Sequence, residues 1–314
     1  MRRTLSPAGA FWLAAFTYFI WGFTFLASRI AQDYGTPFVL LFWRFALAFA
    51  LLNLLCLTGR FPVRFRSRRL WPVLLAGLFE PVLYFPCEQY GLRLTSTSFS
   101  GVMVALIPLC SLVYGAVFLH EKATWRQVVF SVLSVAGVIV LAVYATGIGA
   151  GSFPGFLVLL GTVFAGAGYM VACRACSGSF TAFERTYITC GMGAAAFGVL
   201  SVLEHRHDLN AVVLPMTHAP FALAIVFLSV VASVLSYLAL NRALEVLPVA
   251  RTAALINFST VVSVLAGVLL LREPFGWVSA AASAAILVGI WGVQRFAAPA
   301  VPDTAESAEP LSPS

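Results

Sequence analysis

Long apolar segments separated by short polar spacers make up almost the whole chain. Each segment is about 20 residues long, which is the length an α-helix needs to cross the hydrocarbon core of a bilayer. The segments are continuously apolar, whereas the strands of a membrane barrel would alternate apolar and polar positions, so the pattern predicts helices. We place ten predicted spans at residues 11–31, 36–58, 70–92, 97–119, 126–145, 153–174, 180–204, 218–240, 247–271 and 276–296.

The composition agrees with lipid as the main surrounding of the chain. Of its 314 residues, 61% are hydrophobic and 10% are charged, against roughly 25% charged residues in a soluble domain. The net charge of +7 does not indicate nucleic acid as a partner, because the charges lie in short spacers and not on one basic face. We expect a lipid bilayer around the spans and a disordered tail over residues 298–314.

The positions of Lys and Arg predict the orientation of the spans. With the N-terminus in the cytoplasm, 14 of these residues fall on the cytoplasmic side and 4 on the outer side, and Arg44 lies within a span. Cytoplasmic loops of membrane proteins carry this excess of positive charge. An even number of spans then also places the C-terminus in the cytoplasm.

One pattern of charges occurs twice along the chain. Residues 118–125 read FLHEKATW and residues 270–277 read LLREPFGW, so that Glu121 and Glu273 are 152 positions apart. The same shift, without a gap, aligns further pairs: Leu92 with Leu244, Ser111 with Ser263, Gly115 with Gly267, Leu119 with Leu271, Trp125 with Trp277, Ser131 with Ser283 and Gly137 with Gly289.

The repeat predicts two halves of five spans each, residues 1–148 and 149–297. An odd number of spans in each half gives the halves opposite orientations, as in many secondary transporters. Glu121 and Glu273 are expected to cap the helices that follow them, with Trp125 and Trp277 as interface anchors.

Four segments stand out as motifs: WGFTFLASR (21–29), FWRFALA (42–48), YGLRLTSTSFSGVMVALIPLCSLVYGAVFLHEKATWRQ (90–127) and LALNRALEVLPVARTAALINFSTVVSVLAGVLLLREPFGW (238–277). They resemble the EamA family of the drug/metabolite transporter superfamily. The resemblance covers the chain up to the tail and implies an all-α polytopic membrane protein, with ten transmembrane helices in two inverted five-helix repeats around a central cavity. It also implies export of metabolites or amino acids. One departure is that Thr260 stands at a family proline position whose first-half counterpart is Pro108.

The third predicted span carries acidic residues at membrane depth. Glu80, Tyr84 and Glu88 are spaced four apart and would share one helix face, while Pro81 and Pro86 interrupt the backbone hydrogen bonds. Burial favours the neutral form of a carboxyl group, so both acids are candidate proton carriers. The alternative is that each is neutralised by Arg44 or bonded to a tyrosine, only to hold helices together.

Other polar and aromatic residues are candidates for the wall of a substrate cavity. Arg44 would either pair with an acidic residue or receive a carboxylate of the substrate. Aromatic side chains near mid-span could stack on a substrate, although each would equally serve as an interface anchor. The remaining candidates for substrate or proton binding are Gln89, Trp21, Tyr18, Tyr169, Tyr237 and Asn257.

No motif indicates a metal, a cofactor or a catalytic centre. The lone C-x-x-C of Cys173 and Cys176 lacks partner ligands, Thr124 stands where H-E-x-x-H needs its second histidine, and no P-loop occurs. The leading interpretation is a secondary transporter in a bacterial inner membrane. It would export small organic metabolites such as amino acids by alternating access, either coupled to protons or by facilitated diffusion. A multidrug exporter of cationic, hydrophobic compounds and a polytopic membrane enzyme are the alternatives, and the small residues of the last span permit a homodimer contact.

Overall fold

The computed structural model describes residues 6–59, 61, 63, 69–107, 109–110, 113–114, 124–147, 153–176, 179–244, 256–273 and 275–296. The predicted tail lies outside these ranges. Within them the chain is helical and contains no strand. The α-helices, in chain order, are α1 Pro7–Gly22, α2 Thr24–Gln32, α3 Pro37–Leu57, α4 Trp71–Gly77, α5 Tyr84–Leu94, α6 Thr97–Val104, α7 Trp125–Gly147, α8 Phe153–Cys176, α9 Ala182–Glu204, α10 Asn210–Val213, α11 Ala219–Val226, α12 Ser236–Leu244, α13 Ile256–Leu270 and α14 Trp277–Arg295.

Two stretches of wider helix interrupt these elements. The first π-segment, Leu78–Leu83, joins α4 to α5, and the second π-segment, Phe227–Leu235, joins α11 to α12. A short 3₁₀ turn at Leu214–Thr217 precedes α11. Four helical stretches of the described chain are long and apolar enough to cross a bilayer, at Ala8–Gln32, Pro37–Leu57, Ala182–Glu204 and Ala219–Leu240. The chain is therefore a multi-pass helical protein, and the count of ten spans stays a prediction.

Polar residues just before the helices determine where several of them begin. The Ser6 hydroxyl accepts a hydrogen bond from the Gly9 amide, and the Thr36 hydroxyl accepts one from Val39. Thr181 and Glu184 form a reciprocal capping box at the start of α9, with bonds of 3.2 and 2.9 Å. Such caps satisfy amides that the first helical turn leaves without partners, which matters most where no water reaches them.

The contacts between helices agree with the repeat in the sequence. Helices α3, α6 and α7 of the first half pack most closely on α9, α13 and α14, their equivalents in the second half. The pairing of α5 with α8 is matched by that of α12 with α1. A two-fold relation between the halves requires both kinds of pairing. If each helix is exchanged for its equivalent in the other half, the same pairs remain in contact.

Glycines permit close contact between helices at several places. A Cβ atom on Gly22 would collide with Val262, and one on Gly168 would lie 2.7 Å from the Phe79 ring. Helix α13 runs through Thr260 without a break, and the Thr260 hydroxyl donates to the Gly101 carbonyl at 3.2 Å. Small residues and interhelical hydrogen bonds of this kind hold helices together where lipid removes the hydrophobic drive for association.

Glu273 caps a helix other than the one the sequence predicts. Its carboxylate accepts hydrogen bonds from the Thr97 amide at 2.6 Å, the Ser98 amide at 2.9 Å and the Ser98 hydroxyl at 2.7 Å. These groups begin α6, in the other half of the chain, so the expected cap on the following helix α14 is wrong. Arg272, with φ of 53°, turns the chain at the end of α13 so that Glu273 reaches α6. Glu121 lies outside the described residues.

We expect Glu273→Ala to lower the melting temperature of the protein in detergent. Removing a carboxylate that accepts three hydrogen bonds at a helix start should cost about 1–3 kcal/mol of unfolding free energy. Glu273→Gln keeps an acceptor of the same size and should cost less. The matched control is Glu204→Gln, an exposed carboxylate at a helix end that accepts from the Thr36 hydroxyl. Tryptophan fluorescence on heating measures all three, and equal melting of Glu273→Ala and wild type would contradict the structural role.

Candidate functional site

The third span breaks at Glu80. Its backbone has φ of −139° and ψ of 112°, outside the helical region, and Pro81 follows without an amide hydrogen. Regular helix resumes at Tyr84. The prediction that Glu80 shares one helix face with Tyr84 and Glu88 is therefore wrong, because the spacing argument holds only along an unbroken helix. It holds for Tyr84 and Glu88, which both lie in α5 and contact each other.

The break has a counterpart in the second half. Shifted by the 152 positions of the sequence repeat, the first π-segment falls inside the second one. Each half thus carries a widened, irregular stretch in its equivalent span. Irregular stretches of this kind inside helices are frequent at functional sites.

A narrow pocket lies beside the first of these breaks. Its empty space, open mouth included, is about 220 Å³, of which the enclosed part has room for about one water molecule. Residues of both halves line it. They are Phe45, Glu80, Pro81, Phe85, Tyr169, Thr189, Cys190 and Tyr237.

Glu80 supplies the acidic group of this pocket. The hydroxyl of Tyr237, from the other half, donates a hydrogen bond to the Glu80 carboxylate. The Tyr237 ring packs against Trp21, with ring centroids 5.1 Å apart, and Trp21 packs edge-on against Tyr18 at 5.4 Å. The Trp21 indole in turn donates to the Ala232 carbonyl at 3.0 Å, inside the second π-segment. A carboxylate among aromatic rings favours a positively charged or protonated guest.

Glu88 belongs to a different polar network. It is 5% exposed, and its carboxylate accepts from the Gln89 amide at 3.0 Å. The same amide nitrogen reaches the Ser28 hydroxyl at 3.2 Å, and the Gln32 amide donates to the Gln89 side chain at 3.0 Å. Tyr84 is the other neighbour of the Glu88 carboxyl group. These contacts tie α5 to α2, away from the lining of the pocket.

Arg44 lies close to the pocket without lining it. Its side chain is 2% exposed, and its Nε donates to the Ser233 hydroxyl at 3.1 Å. The guanidinium carbon stands 4.4 Å from the centre of the Phe85 ring and 5.5 Å from that of Phe45. Among the described residues, Nη1 has no hydrogen-bond partner.

The structure brings together only some of the residues that the sequence predicts to bind substrate or protons. Glu80, Tyr169 and Tyr237 line the pocket, and Tyr18 and Trp21 continue its aromatic wall. Glu88, Gln89 and Tyr84 form the separate network, Arg44 stands behind two rings, and the Asn257 side chain lies outside the described residues. Sequence reasoning missed five residues of the pocket and its surroundings: Phe45, Phe85, Thr189, Cys190 and Ser233.

The missed residues carry weak signals in sequence. Phenylalanine is abundant in every span, and Thr, Ser and Cys pack as small residues inside helices. Phe45 adjoins Arg44, and Cys190 opens the small-residue run CGMGAAAFG, but neither feature separates a pocket wall from ordinary packing. Within the described part of the chain, no cluster of three or more His, Cys, Asp or Glu could hold a metal.

Comparison with known proteins identifies relatives along the whole length of this architecture. The model of the EamA-like transporter family matches twice, at residues 8–143 and 153–295. An uncharacterized transporter of Bacillus subtilis (strain 168), YcxC, is 32% identical over 285 residues, which are 90% of this chain and 91% of the relative. A probable terminal-alkyne amino-acid exporter of Streptantibioticus cattleyicolor is 29% identical over 136 residues, 43% of this chain and 45% of the relative.

A solved crystal structure shares the fold. It superposes with a TM-score of 0.66 at 20% identity and covers 93% of this chain and 98% of its own. The named relatives and the family are transporters, which points away from an enzyme. Two family matches along one chain also agree with the two-repeat architecture. The chain belongs to the EamA-like transporter family of multi-pass membrane proteins.

Proposed function

We propose that this transporter exports small organic metabolites, amino acids in particular, and exchanges them for protons at Glu80. The observation that carries the proposal is the contact of Glu80 with Tyr237. It joins the irregular span of one half to that of the other, inside a pocket lined by both. Transporters with inverted repeats bind substrate at such discontinuous helices, between their halves.

The chemistry of Glu80 supports exchange. An ionised carboxylate holds the ammonium group of an amine or amino acid by charge-assisted hydrogen bonds, and the surrounding rings add cation–π attraction. A carboxyl group that has taken up a proton loses that charge and therefore releases the ammonium. Proton and substrate then exclude each other at one group, so that inward proton movement drives outward movement of substrate.

The two halves of the chain would move against each other by alternating access. The units that rock against each other are residues 1–148 and 149–297, each with five spans, and the proton and the substrate take turns at the pocket between them. The excess of Lys and Arg in the predicted inner loops favours cytoplasmic termini and a bacterial inner membrane. The partly matching amino-acid exporter supports the substrate class.

A second candidate function is export of lipophilic cations. The specific observation in its favour is the composition of the pocket, where one carboxylate meets the rings of Phe45, Phe85, Tyr169 and Tyr237. That arrangement would also accept a hydrophobic cation that lacks a carboxylate.

Flux measurements distinguish the two candidate functions. Proteoliposomes of the purified protein would be loaded with a radiolabelled mixture of neutral amino acids, or with tetraphenylphosphonium, and efflux followed with and without an inward proton gradient. We expect the gradient to accelerate amino-acid efflux several-fold and to leave tetraphenylphosphonium efflux at the rate of protein-free vesicles. The reverse result would replace the first function by the second.

We expect Glu80→Gln to abolish the acceleration of flux by the proton gradient. The amide is nearly the same size, still accepts from Tyr237, and neither takes up a proton nor holds an ammonium by charge. Glu88→Gln is the matched control, because it makes the same change eight residues along the same span, in the separate network with Gln89. Flux that still responds to the gradient in Glu80→Gln, but not in Glu88→Gln, would move the proton site to Glu88.

A further inference from the structure

Arg44 is a buried cation whose hydrogen-bonding capacity is largely unused. A guanidinium carries five N–H donors, and in the described structure one of them, on Nε, bonds to Ser233 while Nη1 has no partner. The side chain is 2% exposed, in a span, where an uncompensated positive charge is costly. Such a group needs an anion that the described structure does not place on it.

Neither neighbouring acid fills that role. Glu80 receives its hydrogen bond from Tyr237, and Glu88 receives one from Gln89, both neutral donors. The Arg44 charge acts on both carboxyl groups through space. No salt bridge joins it to either, and all three residues lie in the described part of the chain. A purely structural ion pair would put one of these carboxylates on the guanidinium.

The surroundings hold the Arg44 side chain at the pocket. Ser233, in the second π-segment, donates its own proton to the Leu228 carbonyl at 2.8 Å, so its oxygen is free to accept from Nε. The rings of Phe45 and Phe85 line the pocket and also contact the guanidinium. The same two rings thus lie next to both the guanidinium and the pocket.

We propose that Arg44 receives the carboxylate of the substrate and, together with Glu80, selects zwitterionic amino acids over simple organic cations. The inference rests on the transport function proposed above and adds the group that determines specificity. A guanidinium matches the planar geometry of a carboxylate, and its N–H donors form short, charge-assisted bonds. The ammonium end of the same ligand meets Glu80 and the rings of Tyr169 and Tyr237.

Rejection of the wrong ligand follows from the same charge. A cation without a carboxylate would leave Arg44 without a bound anion, and the guanidinium would repel the charge of that cation. Glu80 thus attracts the ammonium group of a ligand, and Arg44 repels a cationic ligand that has no carboxylate. An amino acid carries both groups and is therefore accepted at both positions. An N-acylated amino acid would fail in the opposite way, since it lacks the ammonium that Glu80 requires.

The test compares three probes that differ only in their end groups: phenylalanine, phenylalanine amide and N-acetylphenylalanine. Each competes against efflux of radiolabelled phenylalanine from proteoliposomes that contain the full-length protein. In wild type we expect phenylalanine to compete at least about tenfold better than the amide, the discrimination expected from charge-assisted bonds to a carboxylate. Arg44→Gln should reduce that ratio to about one.

Further variants separate recognition from folding. Arg44→Lys keeps the charge but loses the planar fork, so an intermediate ratio is expected. Ser233→Ala leaves the guanidinium in place without its anchor and should lower the ratio several-fold. The matched control is Arg29→Gln, which neutralises an arginine that donates to the Leu92 carbonyl at 3.4 Å, and it should retain the wild-type ratio.

The outcomes decide between the two proposals. If Arg44→Gln transports phenylalanine and keeps the wild-type ratio, Arg44 is structural and this inference is overturned while the transport function stands. If Arg44→Gln does not fold, unchanged ratios in both Arg44→Lys and Ser233→Ala overturn it equally. If wild type moves neither phenylalanine nor any other neutral amino acid, amino-acid export itself fails, and the inference fails with it.

Discussion

The bilayer offers no water to a backbone amide or carbonyl, and most of this structure follows from that one constraint. Within the spans every peptide group must find a partner inside the protein, which helices supply locally. Helices that cannot gain hydrophobic energy from one another then associate through close packing and a few interhelical hydrogen bonds. The contact of Gly22 with Val262 and the bond from Thr260 to Gly101 are both of this kind.

Departures from the regular helix are costly under the same constraint, and here they are compensated. The hydroxyls of Ser233 and Ser236 donate to carbonyls of the second π-segment, each five residues earlier and at 2.8 Å. The Trp21 indole satisfies a third carbonyl, that of Ala232. Both halves retain an irregular stretch at equivalent positions, and the two meet through Glu80 and Tyr237. The two irregular spans therefore contact each other across the halves, which is the arrangement on which the proposed substrate site rests.

The charged side chains in the interior also depend on partners within the protein. Glu80 and Glu88 are both bonded to neutral donors, and Arg44 rests on aromatic rings and one hydroxyl. Opposite charges that lie near one another without closing into a salt bridge remain available to a ligand with two charges. Glu273 behaves differently, because helix α6 supplies all three of the donors that bind it. It holds the ends of two spans together and takes no part in the pocket.

Local pattern was enough to establish the lipid surroundings, the helices, the duplicated half and the short set of polar residues at membrane depth. Each of these depends on neighbours in sequence or on a fixed shift along it. Which polar group faces which was decided only by the tertiary structure. The bond from Tyr237 to Glu80 spans 157 residues, and that from Ser98 to Glu273 spans 175. Helical spacing also stops predicting direction at Glu80, where the non-helical backbone turns the rest of the span. Periodicity describes an unbroken helix, and it loses its meaning where the backbone leaves the helical region.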